Sequence, residues 1–403
     1  VIDNILTIGE HFTLNRTTEV QAPGNIMSDA MIALPMIPVR TVDGTNWGGP
    51  NSTMPDRQNV ARVVYDNRNN RYTYWRLFGD AYVNLNPLKG LNIRSTFGLD
   101  YAQKYQRNFT LPYNTGFLNS DKDAVEMKQE HFTKWMWNAV ATYELEIGKH
   151  RGDVMAGMEL NREDDINFAA YREGFAILTP DYMYPSAGVG QSQASGGAGG
   201  FSLVSFFGKL NYSYADKYLL SFTLRRDGSS PFGSNNKYAT FPSVSLGWRI
   251  SEEAFMEKTK SVIDDLKIRA AWGQTGNQDI ENYARYSIYE SKYGTGNPPT
   301  YGTSYDITGN NGGGLLPSGF VRTQIGNDDI KWETTTQTNV GIDFSLFNQT
   351  LYGSAEYYYK KTTDILIKPS YIAILGEGGG QWRNAGSMEN KGFEFNLGYR
   401  NKT

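Results

Sequence analysis

The chain has no cysteine and only 3 histidines in 403 residues. It has no run of the 18 or more apolar residues that a membrane helix needs. Neither sign of charge dominates, since 39 basic side chains stand against 42 acidic ones for a formal net charge of -3. Each absence excludes something. A nucleic-acid partner would want a basic face, and none is indicated. Helical membrane proteins are excluded, because the long uncharged stretch from Ser186 to Gly208 is mostly Gly, Ser and Gln and reads as a loop. The lack of cysteine avoids wrong disulfides in an oxidising compartment and so agrees with export. The scarcity of histidine tells against catalysis. His11, His131 and His150 lie far apart, with His150 in an expected short turn, whereas a Ser-His-Asp or zinc site needs a histidine held by neighbours. No Walker loop and no dinucleotide glycine fingerprint occurs. The expectation is a protein that is not an enzyme and binds no cofactor. Val1 to Glu10 has neither a basic start nor a small-residue cleavage site, so the chain is expected to be a mature or internal piece.

What is present is aromatic and glycine-rich: Tyr 27, Phe 20, Trp 8 and Gly 43. Membrane barrels carry aromatic girdles, but soluble sandwiches and propellers are also rich in aromatics. The mean hydropathy of -0.52 fits either, since barrel strands are apolar on one face only. Alternation with period 2 is the dominant pattern. Tyr218, Leu220, Phe222 and Leu224 oppose Ser221, Thr223 and Arg225. Val340, Ile342, Phe344 and Leu346 oppose Asn339, Gly341, Asp343 and Ser345. Phe393, Phe395, Leu397 and Tyr399 oppose Glu394, Asn396, Gly398 and Arg400. Such segments run about 9 to 14 residues, enough for a tilted strand to cross a bilayer.

The connections alternate in length. Short turns are expected at Asn86 to Gly90, Gly148 to Gly152, Ala215 to Lys217, Asn348 to Thr350 and Met388 to Lys391. Long connections are expected at Thr18 to Arg71, Gln103 to Glu130, Gly174 to Gly200 and Thr275 to Lys331. Ser251 to Lys260 reads as a short helix capped by Ser251. This gives roughly thirteen membrane-length strands. An odd count would leave an open edge in lipid, so strands are expected to be missing.

Lys209, Arg225, Lys267 and Arg269 fall on polar strand faces and are expected to point into the lumen, toward a plug, a substrate or water. Trp47, Tyr182, Tyr184, Tyr301 and Tyr305 lie in long loops, where they could stack on sugar or peptide or pack loop on loop. Glu163-Asp164-Asp165 and Asp328-Asp329 are the tightest acidic clusters and read as solvated loop ends. A loop Ca²⁺ is the lesser reading, because the EF-hand spacing is missing.

From Phe206 onward a series of short motifs recurs in order. They are Arg226-Asp227-Gly228-Ser229-Ser230-Pro231-Phe232-Gly233, Phe241-Pro242-Ser243-Val244-Ser245-Leu246-Gly247-Trp248-Arg249, Leu266-Lys267-Ile268-Arg269-Ala270 and Gly273-Gln274-Thr275-Gly276-Asn277. Trp332-Glu333-Thr334, Thr338-Asn339-Val340-Gly341, Tyr357-Tyr358-Tyr359-Lys360-Lys361 and Asn390-Lys391-Gly392-Phe393-Glu394 complete them. Their order and spacing resemble the SusC-like (SusC/RagA) family of TonB-dependent outer-membrane transporters. Pro231 and Ala385 depart locally from the family pattern. The resemblance implies an all-β, antiparallel transmembrane β-barrel of 22 strands. Residues 1–403 would form part of it, with the plug domain outside them. It further implies import of an oligosaccharide or peptide across the outer membrane of a Gram-negative cell, with a SusD-like lipoprotein lid and TonB-ExbB-ExbD as partners. A passive porin or surface adhesin, and a secreted carbohydrate-active β-protein, are the alternatives.

Overall fold

The computed structural model describes residues 5–51, 53, 58–291, 320–369 and 379–401. Twelve strands form one antiparallel sheet in chain order. They are β1 Leu6–Val20, β2 Arg71–Leu88, β3 Leu91–Thr110, β4 Ala124–Ile147, β5 His150–Glu173 and β6 Ser192–Tyr214. They continue as β7 Tyr218–Ser229, β8 Tyr238–Arg249, β9 Ile263–Asn277, β10 Glu333–Leu346, β11 Leu351–Thr363 and β12 Ser387–Tyr399. Among the described residues β1 and β12 are the sheet's two edges and do not pair with each other. The count is thus twelve where the alternation suggested thirteen. Met388 to Lys391, expected as a turn from its Asn-Lys-Gly chemistry, lies inside β12 and pairs with Thr362 to Tyr359 of β11.

Register turns the alternation into two faces. Leu220, Leu246, Ala270, Val340, Tyr357 and Phe393 form one unbroken row across β7 to β12. One residue along each strand, Ser221, Ser245, Ala271, Asn339 and Tyr358 form a row on the opposite face. On the apolar face Leu246 is 56% exposed, Val340 50% and Phe393 71%. Water does not tolerate so continuous an apolar surface on a monomer, but lipid does. The core is therefore outside, and the two buried hydrophobic clusters lie among the long connections instead.

Aromatic rings border the apolar face. Near the short turns Tyr214 stacks on Tyr218 at 6.3 Å. Glu253, between two short 3-10 helices, accepts the Tyr218 hydroxyl at 2.6 Å and the Trp248 indole N–H at 3.1 Å. Higher up, Trp137 donates to Ser95 Oγ at 3.0 Å, and Trp135 stands one outward position above it.

Every connection at one end of the sheet is short or compact: 89–90, 148–149, 215–217, 250–262 and 347–350. Ala215 and Asp216 both take left-handed backbone there, as a tight hairpin turn requires. At the other end lie 21–70, 111–123, 174–191, 230–237, 278–332 and 364–386. Segregation by end is as the sequence indicated, but several boundaries move. Gln103 to Glu130 is mostly strand, leaving 111–123 as the connection. The Gly-Ser tract read as a loop becomes strand from Ser192, because β5 supplies a ladder for it from Arg172 down to Tyr214's partner His150. Glu163-Asp164-Asp165, read as a loop end, sits within β5. Ser251 does not cap a helix. It is buried in a short 3-10 turn and donates to Asp265 Oδ1 at 3.0 Å.

Strands β4 and β5 each hold 24 residues, against 12 in β7 and in β8. At ~3.3 Å per residue and a tilt near 40°, the tall strands rise about 60 Å, well past an apolar band of roughly 25 Å. The wall is stepped, high over β2 to β6 and low over β7 to β12.

The faces make a paired prediction at neighbouring residues. Ala270→Arg, in mid-belt on the lipid side, should cost about 2–4 kcal/mol in a denaturant titration of folding into lipid. Ala271→Arg, on the wet side, should cost less than about 1 kcal/mol. Equal costs would contradict the assigned faces.

Candidate functional site: the concave polar face and the loops above it

The polar face is concave and densely hydrogen-bonded. Toward the short-turn end it encloses a cavity of about 1250 Å³, lined by Asp153, Asn211, Ser221, Ser245, Lys267 and Arg269 among others. Two networks span its strands. Asn211 donates to Asp153 at 3.0 Å and accepts from Ser221 Oγ at 2.8 Å, tying β5, β6 and β7. Arg269 of β9 donates to Asp343 of β10 at 3.2 Å and to Glu356 of β11, which also accepts from Asn339. Higher on the wall, Arg225 donates to Asp227 at 2.8 Å and Ser205 at 2.9 Å, with Glu159 at 3.9 Å. Each of these cations is held between carboxylates, and the Arg269 pairs link side chains of β9, β10 and β11 across the ladder.

The sequence-predicted residues fall as follows. Lys209, Arg225, Lys267 and Arg269 all have the register parity of the polar face. Arg225 and Arg269 are in ion pairs, while Lys267 and Arg269 line the cavity. Lys209 lies opposite Met155 and Thr223. Sequence reasoning missed their acidic partners Glu159, Asp343 and Glu356 as site residues, although Asp343 was visible on the same alternating face. Trp47 is already occupied: Arg40 sits 3.5 Å over its ring and Tyr65 packs at 5.4 Å. Tyr184 carries Arg107 at 3.9 Å, and Tyr182 is 62% exposed. Tyr301 and Tyr305 lie outside the described residues. His11, His131 and His150 are on three different strands. Among the described residues no group of three or more His, Cys, Asp or Glu could hold a metal ion.

The loops are folded, not slack. Phe232, Phe241, Ile330 and Trp332 form a buried cluster that joins the 230–237, 278–332 and 364–386 connections through Ile280, Leu366 and Trp382. Trp332 also donates to the Lys237 carbonyl at 3.1 Å. Over the tall side, the 174–191 connection packs Met183 against Phe109 and Val125. Arg107 donates to the Met183 carbonyl at 2.7 Å. In the first loop, Asp43 accepts from the Thr41 hydroxyl and then the Thr45 hydroxyl, and these bonds hold its carboxyl at about 2. The turn so made carries the bridge between Arg40 and Trp47.

Two outcomes follow. Trp332→Ala should remove about 3–5 kcal/mol of local stability and speed amide exchange in all three joined loops, while the strands below keep their protection. A depressed carboxylate contributes stability that is present above its ordinary value near 4 and lost as pH falls toward about 2. Trp47 fluorescence should therefore hold from pH 7 to about 4 and change between about 4 and 2, and Asp43→Ala should abolish that step.

The family model for the TonB dependent receptor-like β-barrel matches residues 36–402. TonB-dependent receptor P26 of Formosa agariphila is 31% identical over 383 residues, covering 93% of this chain and 36% of its own length. TonB-dependent receptor SusC of Bacteroides thetaiotaomicron is 32% identical over 313 residues, covering 77% of this chain and 29% of its own. The chain thus spans about a third of the length of these relatives. Among solved structures, the RagAB peptide importer in its closed-closed state superposes with a TM-score of 0.79 at 22% identity, over 100% of this chain and 43% of that one. The superposition shows a shared fold, and the family match over residues 36–402 shows that the chain belongs to the TonB-dependent receptor β-barrel family, with a SusC among its relatives.

Proposed function

We propose that this chain is the wall of an outer-membrane importer that takes up a bulky nutrient, an oligosaccharide or a peptide, in a TonB-dependent cycle. The observation that carries the reading is the opposition of the two faces. A wet, internally neutralised surface runs behind a continuous lipid face, as a conduit for large polar cargo requires. The free edges of β1 and β12 support a larger cylinder, because unpaired ladder groups have no partner in lipid. A 22-stranded barrel around a plug would meet that need, with Lys209, Arg225, Lys267 and Arg269 facing the plug or the cargo. A SusD-like lipoprotein would close the mouth from the long-loop end. The RagAB assembly, named a peptide importer, supports cargo of this size.

The test is uptake by cells carrying the full-length gene, with labelled oligosaccharides and peptides of graded length. Uptake of one class should vanish on deleting the gene, and equally on deleting TonB or collapsing the proton gradient. A surface lipoprotein should co-purify in mild detergent. Uptake indifferent to TonB would make the protein a passive pore, and no uptake with intact surface binding would make it an adhesin.

A further inference from the structure

Strand β6 has a long open edge above the membrane. From Ser192 to Phe201 its only ladder among the described residues is the one to β5, and pairing with β7 begins at Leu203 with Ser229. β7 leaves for a local reason. Pro231 has no N–H to continue a ladder, and Phe232 turns into the buried cluster with Trp332. Ser230 closes the last rung. Its N–H donates to the Ser202 carbonyl at 3.0 Å, and its hydroxyl accepts the Ser202 N–H at 2.9 Å.

That rung fixes which groups face the opening. Ser202 turns both its backbone groups toward the β7 side, and a strand repeats every second residue. Ser192, Ala194, Gly196, Ala198 and Gly200 therefore present N–H and C=O to the open edge, while the residues between them bond to β5. The Gln191 carbonyl keeps the same alternation, accepting from the Glu173 N–H of β5 at 3.0 Å. Residues Ser192 to Ala198 are exposed. The nearest neighbours of Gly196, Gly197, Gly199 and Gly200 all belong to β5. Exposed edges are ordinarily blunted by charge, proline or a bulge. This one has none of these: Ser186 to Gly208 holds no charged residue and no proline, and the register with β5 runs without a shift.

We propose that this edge takes up an extended peptide by strand addition, in line above β7, as a first hold on peptide cargo. The proposal rests on the importer reading and deepens it, choosing peptide over oligosaccharide. A row of N–H and C=O groups at strand spacing matches another peptide backbone and not a sugar. The Gly and Ala faces offer no side-chain pockets, so the hold is indifferent to cargo sequence. They also offer no large apolar or aromatic anchor, the feature that fixes a permanent partner. The hold is therefore reversible, as cargo that must move on requires. The outward apolar run of β6 ends at Val204, so the edge stands in water, which satisfies its groups until a peptide replaces it.

The experiment uses the full-length protein in lipid nanodiscs and a fluorescent decapeptide of alternating serine and threonine. Binding is read by anisotropy, and the edge by residue-resolved amide exchange. In the free protein the amides of Ala194, Gly196, Ala198 and Gly200 should exchange fast, and those of Ser195, Gly197 and Gly199 slowly. Saturating decapeptide should slow the first set and leave the second unchanged, the alternating signature of pairing along this edge. The fully N-methylated decapeptide has no N–H to give and should bind roughly tenfold more weakly. Ala194→Pro with Ala198→Pro removes two donors at edge positions where proline is tolerated, and should weaken the unmethylated decapeptide by a similar factor. Ala194→Ser with Ala198→Ser keeps every amide and should bind as the wild type does. Edge amides that are already slow in the free protein, edge amides that the decapeptide leaves fast, or equal binding of the N-methylated form overturns strand addition while the importer reading stands. Protection of the edge by a co-purifying protein and not by the decapeptide also overturns it, in favour of a permanent partner strand. Alternating protection together with uptake indifferent to TonB removes the importer reading and leaves the edge as a peptide site.

Discussion

Backbone hydrogen bonding in lipid is the constraint on which everything else depends. No water reaches a strand's N–H and C=O groups at membrane depth, so each must find its partner on a neighbouring strand. The long ladders of β4 with β5 and β5 with β6, paired almost without interruption, meet that demand. Once the ladder is obligatory, side-chain parity becomes obligatory too, since a slip of one residue would exchange the lipid face for the wet one. The rows through Leu220 and Ser221 are the visible result. Side chains do not hold this fold together through a buried centre. They decide which solvent each side of the sheet meets.

The wet side then has its own requirement. Charges that line it are half-exposed, so each ion pair contributes little alone. Arranged as Asp343, Arg269 and Glu356 on three successive strands, they act across the ladder and resist shear between strands. Above the membrane both faces are wet, and stability passes to small apolar clusters under the loops, such as the one around Trp332.

The sequence made the faces plain wherever lipid demands strict alternation, as in Tyr218 to Leu224 and Phe393 to Tyr399. Up and down order and the grouping of long loops at one end were legible for the same reason. Legibility failed where local chemistry and tertiary pairing disagree. Ser192 to Gly200 is poor strand material by propensity, yet β5 offers it a ladder on one side. Asn390-Lys391-Gly392 has turn chemistry but lies between fixed partners on β11. Among candidate site residues, parity placed the four cations, but the carboxylates that neutralise them come from other strands and depend on register. Trp47 looked free to stack on a ligand. Its two ring contacts, Arg40 and Tyr65, come from a bridge and a helix that loop sequence does not announce.

The glycine tract of β6 has a mechanical side. From Gly196 to Gly200 the strand carries almost no side chains, and above Leu203 it is paired on one side only. Bending stiffness of a sheet comes from side chains crowding on both faces and from neighbours on both edges, and here both are thin. The high step of the wall therefore has a compliant lip on a stiff base. The rim of β6 can bend while the full ladders and the aromatic rows below it keep their outline.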